Sequence, residues 1–286
     1  MALQHGARLL RSVLYLPASN MKMVEKAATL RACDAFIFDC EDAVSRDLKD
    51  QAREGAKHAV KTMAGGKERT VVVRVNGVDT PWFEQDCLAA KDADAVLLPK
   101  AERVEDLEKV RKLVGNKPDL WSMIETPLGV LNARELGKHC KVLVMGTVDL
   151  ANELGCSTDP KLKRAPLMTS LQMTVLAARA CGIQALDGVY IHLSDDAGFA
   201  EECEQGVQLG FDGKTIIHPK TIEAANKAFS PSEATVTHAQ RIVTAYENSP
   251  KGATLLDGRL VEELHVRRAL KTIDFSKNIQ KRMGSS

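Results

Sequence analysis

Aromatic side chains are scarce in this 286-residue chain: two Trp, three Tyr and seven Phe make up 4% of it. So thin a supply of flat rings argues against a surface on which nucleic-acid bases stack. An excess of one charge is lacking too. Lys plus Arg number 39 against 38 Asp plus Glu, so neither nucleic acid nor an anionic membrane is expected as a partner. No apolar run approaches the ~20 residues needed to cross a bilayer. The seven cysteines (Cys33, Cys40, Cys87, Cys140, Cys156, Cys181 and Cys203) include no C-x-x-C pair. Neither a zinc knuckle nor a disulfide framework is indicated, and reduced, mostly buried thiols are expected. Arg8 and Arg11 precede the first acid, Glu25, a faint likeness to a transit peptide. Ser12 to Pro17 already reads as a strand, however, which leaves no space for a removable presequence and makes the cytoplasm the expected compartment.

What is present is alternation. Short β-rich runs recur at Val13–Pro17, Ala35–Asp39, Thr70–Val75, Ala95–Pro99, Leu120–Ile124, Val142–Met145, Gly188–Ile191 and Thr215–Ile217. They are apolar almost throughout, as parallel strands covered on both faces must be. Between them lie amphipathic segments such as Asp47–Met63, Val104–Val114 and Leu167–Cys181, long enough for crossover helices. Eight such repeats in one chain of this length predict an α/β fold, a closed (β/α)₈ TIM barrel over residues 1–229. No G-x-G-x-x-G follows the first strand, which disfavours a dinucleotide-binding sheet. Residues 230–286 read as a C-terminal helical extension: a helix near Ser232–Tyr246, the stretch Lys251–Gly258, then a charged helix.

Active sites of such barrels sit at the carboxyl ends of the strands. There the sequence gathers Asp39-Cys-Glu41-Asp42, Arg74-Val-Asn76, Lys100, Glu125, Asp149, His192, Asp195 and His218. Carboxylates without a His or Cys partner at ligand spacing suit a hard cation such as Mg²⁺, which takes one or two protein carboxylates and leaves other positions to water and substrate. Arg74 opposite such an ion suits a developing oxyanion or a substrate carboxylate. Together they describe enolate chemistry on a hydroxy- or keto-acid. A plainer reading of Asp42 and Asp149 is that they stabilise helix N-termini. His192 taken alone reads as a hydrogen-bonded barrel histidine, and His218-Pro219 as a turn.

The motifs Arg11-Ser-Val-Leu-Tyr-Leu-Pro17, Phe38-Asp-Cys-Glu-Asp-Ala-Val44, Val73-Arg-Val-Asn76, Leu98-Pro-Lys100, Ile124-Glu-Thr126, Gly146-Thr-Val-Asp-Leu150, Val189-Tyr-Ile191 and Gly213-Lys-Thr-Ile-Ile-His-Pro219, in this order, resemble the citrate lyase β-subunit-like family of the aldolase/citrate lyase superfamily. Within it, the citramalyl-CoA and malyl-CoA lyases are the most similar. The resemblance implies Glu125 and Asp149 as Mg²⁺ ligands, Glu41 and Asp42 beside the metal's waters, and Arg74 on the thioester-derived oxygen. It implies Tyr15, Lys22, Lys26, Ile191 and His192 as contacts to the CoA ester. By themselves Lys22 and Lys26, four apart on one helix face, would read as a solvated surface.

In the family's extension an aspartate in Gly-x-Met-Ile-Asp serves a neighbouring subunit's site as acid or base. Here the stretch is Gly258-Arg-Leu-Val-Glu262, so Glu262 is expected in that role, with Glu263 adjacent. The resemblance thus implies a homo-oligomer, a trimer or dimer of trimers, that cleaves or forms a 3-hydroxyacyl-CoA. Two other readings fit the same residues: the β subunit of a citrate lyase acting on a carrier-protein thioester, and a barrel that binds CoA esters without catalysis. A free-acid aldolase is disfavoured by the lysine pair.

Overall fold

The computed structural model describes residues 8–66, 69–249 and 253–283. Eight parallel strands close into a barrel in sequence order: β1 (Ser12–Pro17), β2 (Ala35–Asp39), β3 (Thr70–Arg74), β4 (Ala95–Leu98), β5 (Asp119–Ile124), β6 (Val142–Met145), β7 (Gln184–Asp187) and β8 (Gly213–Ile216), with β8 pairing back onto β1. Among the described residues nine α-helices surround them: α1 (Met21–Ala27), α2 (Lys49–Met63), α3 (Phe83–Ala90), α4 (Val104–Val114), α5 (Pro127–Gly137), α6 (Thr147–Leu154), α7 (Met168–Cys181), α8 (Asp196–Leu209) and α9 (Ile222–Ala228). This is the (β/α)₈ TIM barrel expected from the sequence. All seven cysteines are free, five of them buried. Among the described residues no helix is long and apolar enough to cross a membrane.

The period of two in each strand sorts its side chains between two cores. Val13, Ala35, Ile37, Val72, Ala95, Leu97, Trp121, Met123, Val142, Val144 and Leu186 fill the inside of the barrel, with Leu10 below and Tyr15 packed against them. Their neighbours Leu14, Leu16, Phe36, Phe38, Val71, Val73, Val96, Leu98, Leu143 and Ile216 face the helices. Continuing the inward column by two residues along β2, β3 and β5 reaches Asp39, Arg74 and Glu125. The fold therefore places one acid, one base and a second acid on the inner wall at the catalytic end.

The seventh strand corrects the sequence reading. It runs over Gln184–Asp187, not Gly188–Ile191. The Gly-Val-Tyr-Ile run is the better strand by composition, yet it leaves the barrel after Asp187. Asp187 was hidden from that reading because a polar strand end looks like loop. It faces outward and is fully buried. Its carboxylate receives Arg164 Nη1 at 2.6 Å and the ammonium of Lys214, from β8, at 3.0 Å. Lys214, also fully buried, donates further to Gly188 O at 2.6 Å and Glu202 Oε1 at 2.7 Å. Burial pushes the Asp187 carboxyl up, but the two cations outweigh it and hold it below the usual range.

A second compact unit runs from Ser230 onward. Its first helix, α10 (Glu233–Glu247), starts at Ser232, whose hydroxyl accepts from Thr235 N at 3.1 Å. The stretch ending at Gly258, whose first two residues lie outside the described ones, is not an open loop. Ala253–Leu256 (β9) and Arg259–Glu262 (β10) form an antiparallel hairpin around Asp257 and Gly258, both with positive φ (51° and 75°). Asp-Gly suits that two-residue turn because both positions need left-handed backbone. The charged helix follows as α11 (Glu263–Met283), packed on α10.

The buried network around Asp187 predicts a steep stability loss on breaking it. Lys214→Met is expected to lower the unfolding free energy by about 3–5 kcal/mol, since it leaves the buried Asp187 and the half-buried Glu202 to share the single cation of Arg164. Urea unfolding at pH 7 measures this.

Candidate active site

Arg74 organises the mouth of the barrel. Asp39 and Arg74 are register partners on β2 and β3, and both point inward. The guanidinium, almost wholly buried, donates from Nε to Asp39 Oδ1 at 2.7 Å and from Nη2 to Asp39 Oδ2 at 2.6 Å. Such a fork fixes its plane as well as its position. Below it lies the ring of Tyr15, 5.0 Å from the guanidinium carbon. The remaining nitrogen, Nη1, meets Glu41 Oε2 at 2.9 Å and Met123 Sδ at 3.7 Å. Asp39 in turn accepts from Glu41 N at 2.9 Å and Ala43 N at 3.0 Å. Burial would raise its carboxyl, but Arg74 and these amides hold it below the usual range.

Glu41 and Glu125 behave in the opposite way. Burial pushes the Glu41 carboxyl up to about 8 against the pull of Arg74, with Asp42, Glu125 and Asp39 adding to the rise. Glu125 rises to about 7, again through burial first, with Asp149 adding to it and Arg74 opposing. One oxygen of Glu125 accepts from Lys100 N at 2.8 Å. The other, Oε2, is buried with no hydrogen-bond partner. Gly146 leaves the space it occupies, for a Cβ there would lie 2.5 Å from Oε2. Asp149 sits half-buried in the first turn of α6, a position favoured by the helix dipole. The N-cap is Gly146, which has no side chain to bond the first turn.

A buried, unpartnered carboxylate oxygen normally marks a missing partner. Among the described residues no three His, Cys, Asp or Glu side chains gather as a complete metal cage. Mg²⁺ does not ask for one, because it keeps several waters and uses one or two carboxylates. Glu125 and Asp149 fit that requirement, and the oxygen-only donor set suits a hard cation.

Lys100, which the sequence reading noted at a strand end without giving it a role, joins this group. Its backbone is left-handed (φ 47°); burial alone would lower its ammonium pKa, but Glu41, Asp42, Glu125 and Asp149 together raise it. Asp42 is exposed, 3.9 Å from Arg74 Nη1. The acids expected around the metal and Arg74 thus lie at one place.

The residues expected to contact a CoA ester are spread more widely. Tyr15 is half-buried beside Arg74, its hydroxyl donating to Met123 Sδ at 3.8 Å. Lys22 and Lys26 are exposed on α1. Ile191 and His192 are exposed beyond β7, where the His192 ring meets Tyr190 edge-on at 5.4 Å. They line a cleft of about 850 Å³ with Thr147, Val148, Arg164 and Tyr190, next to the first turn of α6. His218 shapes a turn as expected, its Nδ1 accepting from Lys220 N at 3.1 Å. Glu262 ends β10, exposed, with its amide donating to His265 Nδ1 at 3.1 Å.

Comparison with known proteins agrees with this geometry. The chain is 46% identical to a (3S)-malyl-CoA thioesterase of Cereibacter sphaeroides, over 94% of this chain and 95% of that one. It is 34% identical to the citrate lyase subunit beta of Escherichia coli K12, over 93% of each. Among solved structures, CitE from Mycobacterium tuberculosis in complex with magnesium, acetoacetate and coenzyme A superposes with a TM-score of 0.79 at 28% identity, covering 93% of this chain and 97% of the other. Residues 11–219 match the HpcH/HpaI aldolase/citrate lyase description, and the chain belongs to that family.

Proposed function

We propose that this protein is a Mg²⁺-dependent carbon–carbon lyase that splits a 3-hydroxyacyl-CoA such as malyl-CoA or citramalyl-CoA into acetyl-CoA and a 2-keto acid. The observation that carries the reading is the unpartnered Glu125 Oε2 within reach of the Asp149 charge, set in the same mouth as the clamped Arg74. Magnesium held by Glu125 and Asp149 would acidify a substrate hydroxyl. Arg74 has its Nε and Nη2 committed to Asp39, so Nη1 is the donor that remains to be shared. Its contact with Met123 Sδ is weak, and a substrate oxygen carrying enolate charge would replace it at little loss. Asp39 takes no proton in this scheme; it keeps the fork aimed. Glu41 and Asp42 lie where they would order water. Lys22 and Lys26 offer ammonium groups to the phosphates of the CoA ester, and Ile191 and His192 offer a wall for its acyl end.

A second reading has a specific observation behind it, the 46% identity to malyl-CoA thioesterases. There the same Arg74 would hold the oxyanion formed when water attacks the thioester carbonyl. Product analysis separates the two. Incubation of malyl-CoA and both citramalyl-CoA enantiomers with Mg²⁺ is expected to give acetyl-CoA plus glyoxylate or pyruvate, and nothing in EDTA. Free CoA with malate or citramalate, without keto acid, would replace the lyase by the hydrolase.

Cation binding is expected to compete with protons. In the metal-free site Glu125 is protonated below about pH 7 and Glu41 below about pH 8. Both are raised values, so the charged form a cation needs is lost as pH falls. Apparent Mg²⁺ affinity measured by calorimetry should therefore climb from pH 6 to 8, by up to about tenfold per unit for each proton displaced, and level off above. A flat profile would remove Glu125 from the ligand set.

Glu262 is proposed as the acid or base, supplied by a neighbouring copy within a homo-oligomer. Its carboxylate ends the hairpin of a unit separate from the barrel. Glu262→Gln and Arg74→Ala should each lose about a hundredfold or more in turnover. Mixing the two inactive proteins and allowing subunits to exchange should restore part of it. Full activity of Glu262→Gln would cancel the role, and absence of recovery on mixing would confine it to one chain.

A further inference from the structure

Behind the Asp39–Glu41 turn lies a second clamp. Lys49, the first residue of α2, is buried, and its ammonium spends all three protons on neutral oxygens: Cys40 O at 2.8 Å, Glu41 O at 2.7 Å and Asn76 Oδ1 at 2.8 Å. The Trp82 ring lies 5.3 Å from it. Asn76 is held in turn, its Nδ2 donating to Cys40 O at 2.8 Å and to Asp86 Oδ2 at 2.6 Å, and its backbone N to the same Asp86 oxygen at 3.0 Å. Asp86 also meets Arg53 Nη1 at 3.3 Å.

As a stability device this is poorly chosen. A buried ammonium without a carboxylate in ion-pair contact is expensive, and none is paired with Lys49 among the described residues. The N-terminal end of a helix is also the end where the dipole disfavours a cation. Methionine would fill similar space without either penalty. Departures of this kind concentrate where function sets the constraint.

The constraint lies in the acid turn. Its amides, Glu41 N and Ala43 N, are held by the Asp39 carboxylate, and its carbonyls, Cys40 O and Glu41 O, by Lys49. With both sides of the backbone fixed, the Glu41 side chain lies against Arg74 Nη1 at 2.9 Å, where its Oε2 also accepts from Asp42 N at 3.3 Å. Asn76, two residues beyond Arg74, ties the end of β3 to the same ammonium.

We propose that Lys49 is a positioning residue: by holding the carbonyls of Cys40 and Glu41 together with the Asn76 side chain, it sets the Glu41 carboxylate beside Arg74. The inference rests on the thioester chemistry proposed above and adds the part that keeps its acid and base in register.

The test is a mutant cycle read in two ways. Lys49→Met should lower kcat by about ten- to a hundredfold, the scale of a misplaced group, with KM for the thioester little changed and unfolding still cooperative. In a Glu41→Gln background the same change should add less than about twofold, because the effect passes through Glu41. Independently of turnover, hydrogen exchange in Lys49→Met should quicken at the amides of Glu41 and Ala43 while the barrel strands stay protected. An equal loss in both backgrounds, or unaltered exchange at those two amides, overturns the proposal. Should Lys49→Met fail to fold, Lys49→Gln, which stays polar but is one atom shorter and cannot make all three bonds, takes its place in the cycle, with the same outcomes deciding. If the wild-type protein cleaves no thioester, the proposed function fails, and the exchange measurement still decides whether the clamp exists.

Discussion

Everything at the catalytic end depends on the fork between Arg74 and Asp39. A guanidinium cannot shed its proton, so an arginine on the inner wall of a barrel must be met by a carboxylate there. Asp39 meets it from the neighbouring strand in direct register, using both oxygens, and two backbone amides hold the carboxylate in turn. That leaves the surrounding acids without a full counter-charge. Glu41, Asp42, Glu125 and Asp149 share what remains of Arg74 and the ammonium of Lys100. The deficit has a chemical consequence. Two of the acids rise to about 8 and 7, which means that protons occupy the site where a divalent cation is lacking.

Two further charged networks lie outside the barrel wall, one on each side. Lys49 and Asn76 brace the ends of β2 and β3, while Asp187, Lys214, Glu202 and Arg164 brace those of β7 and β8. Both use a buried lysine to fix the backbone where a strand gives way to a loop: Lys49 holds two carbonyls, and Lys214 holds the Gly188 carbonyl together with two carboxylates. Apolar packing cannot do this, because dispersion contacts do not specify which carbonyl faces which way. The barrel's body is fixed by its two hydrophobic cores and its rim by these directional bonds.

This division explains what could be read in the sequence. Strands buried on both faces announce themselves as apolar runs, so seven of the eight were visible near their positions. Asp39, Arg74 and Glu125 were visible too, since period-two counting along β2, β3 and β5 brings each to the inner wall. The seventh strand was displaced because its outer face carries Asp187, a residue whose burial depends on Lys214 and Arg164, far away in the chain. Lys49 was hidden for the same reason: a lysine opening an amphipathic helix looks solvated until Asn76 and the acid turn are folded around it. The hairpin at Ala253–Glu262 did carry a local signal, the Asp257-Gly258 pair. Its flanks are short and poorly alternating, which left that signal without support.

The raised acids also set a direction for the energetics. A carboxyl whose folded pKa lies above its unfolded value stabilises the fold least at high pH, where the buried charge is present without a proton. The metal-free protein therefore loses stability as pH rises from about 4.5, the unperturbed value, through 7 for Glu125 and 8 for Glu41. A cation that binds the folded state alone returns that stability by mass action. The unpartnered Glu125 Oε2 is in this sense stored strain: the fold holds it dry and unbonded, with Gly146 keeping its space open. Because that penalty is already present without an ion, a cation of the proposed kind would need no rearrangement of the site to be received, and Arg74 is already aimed by Asp39.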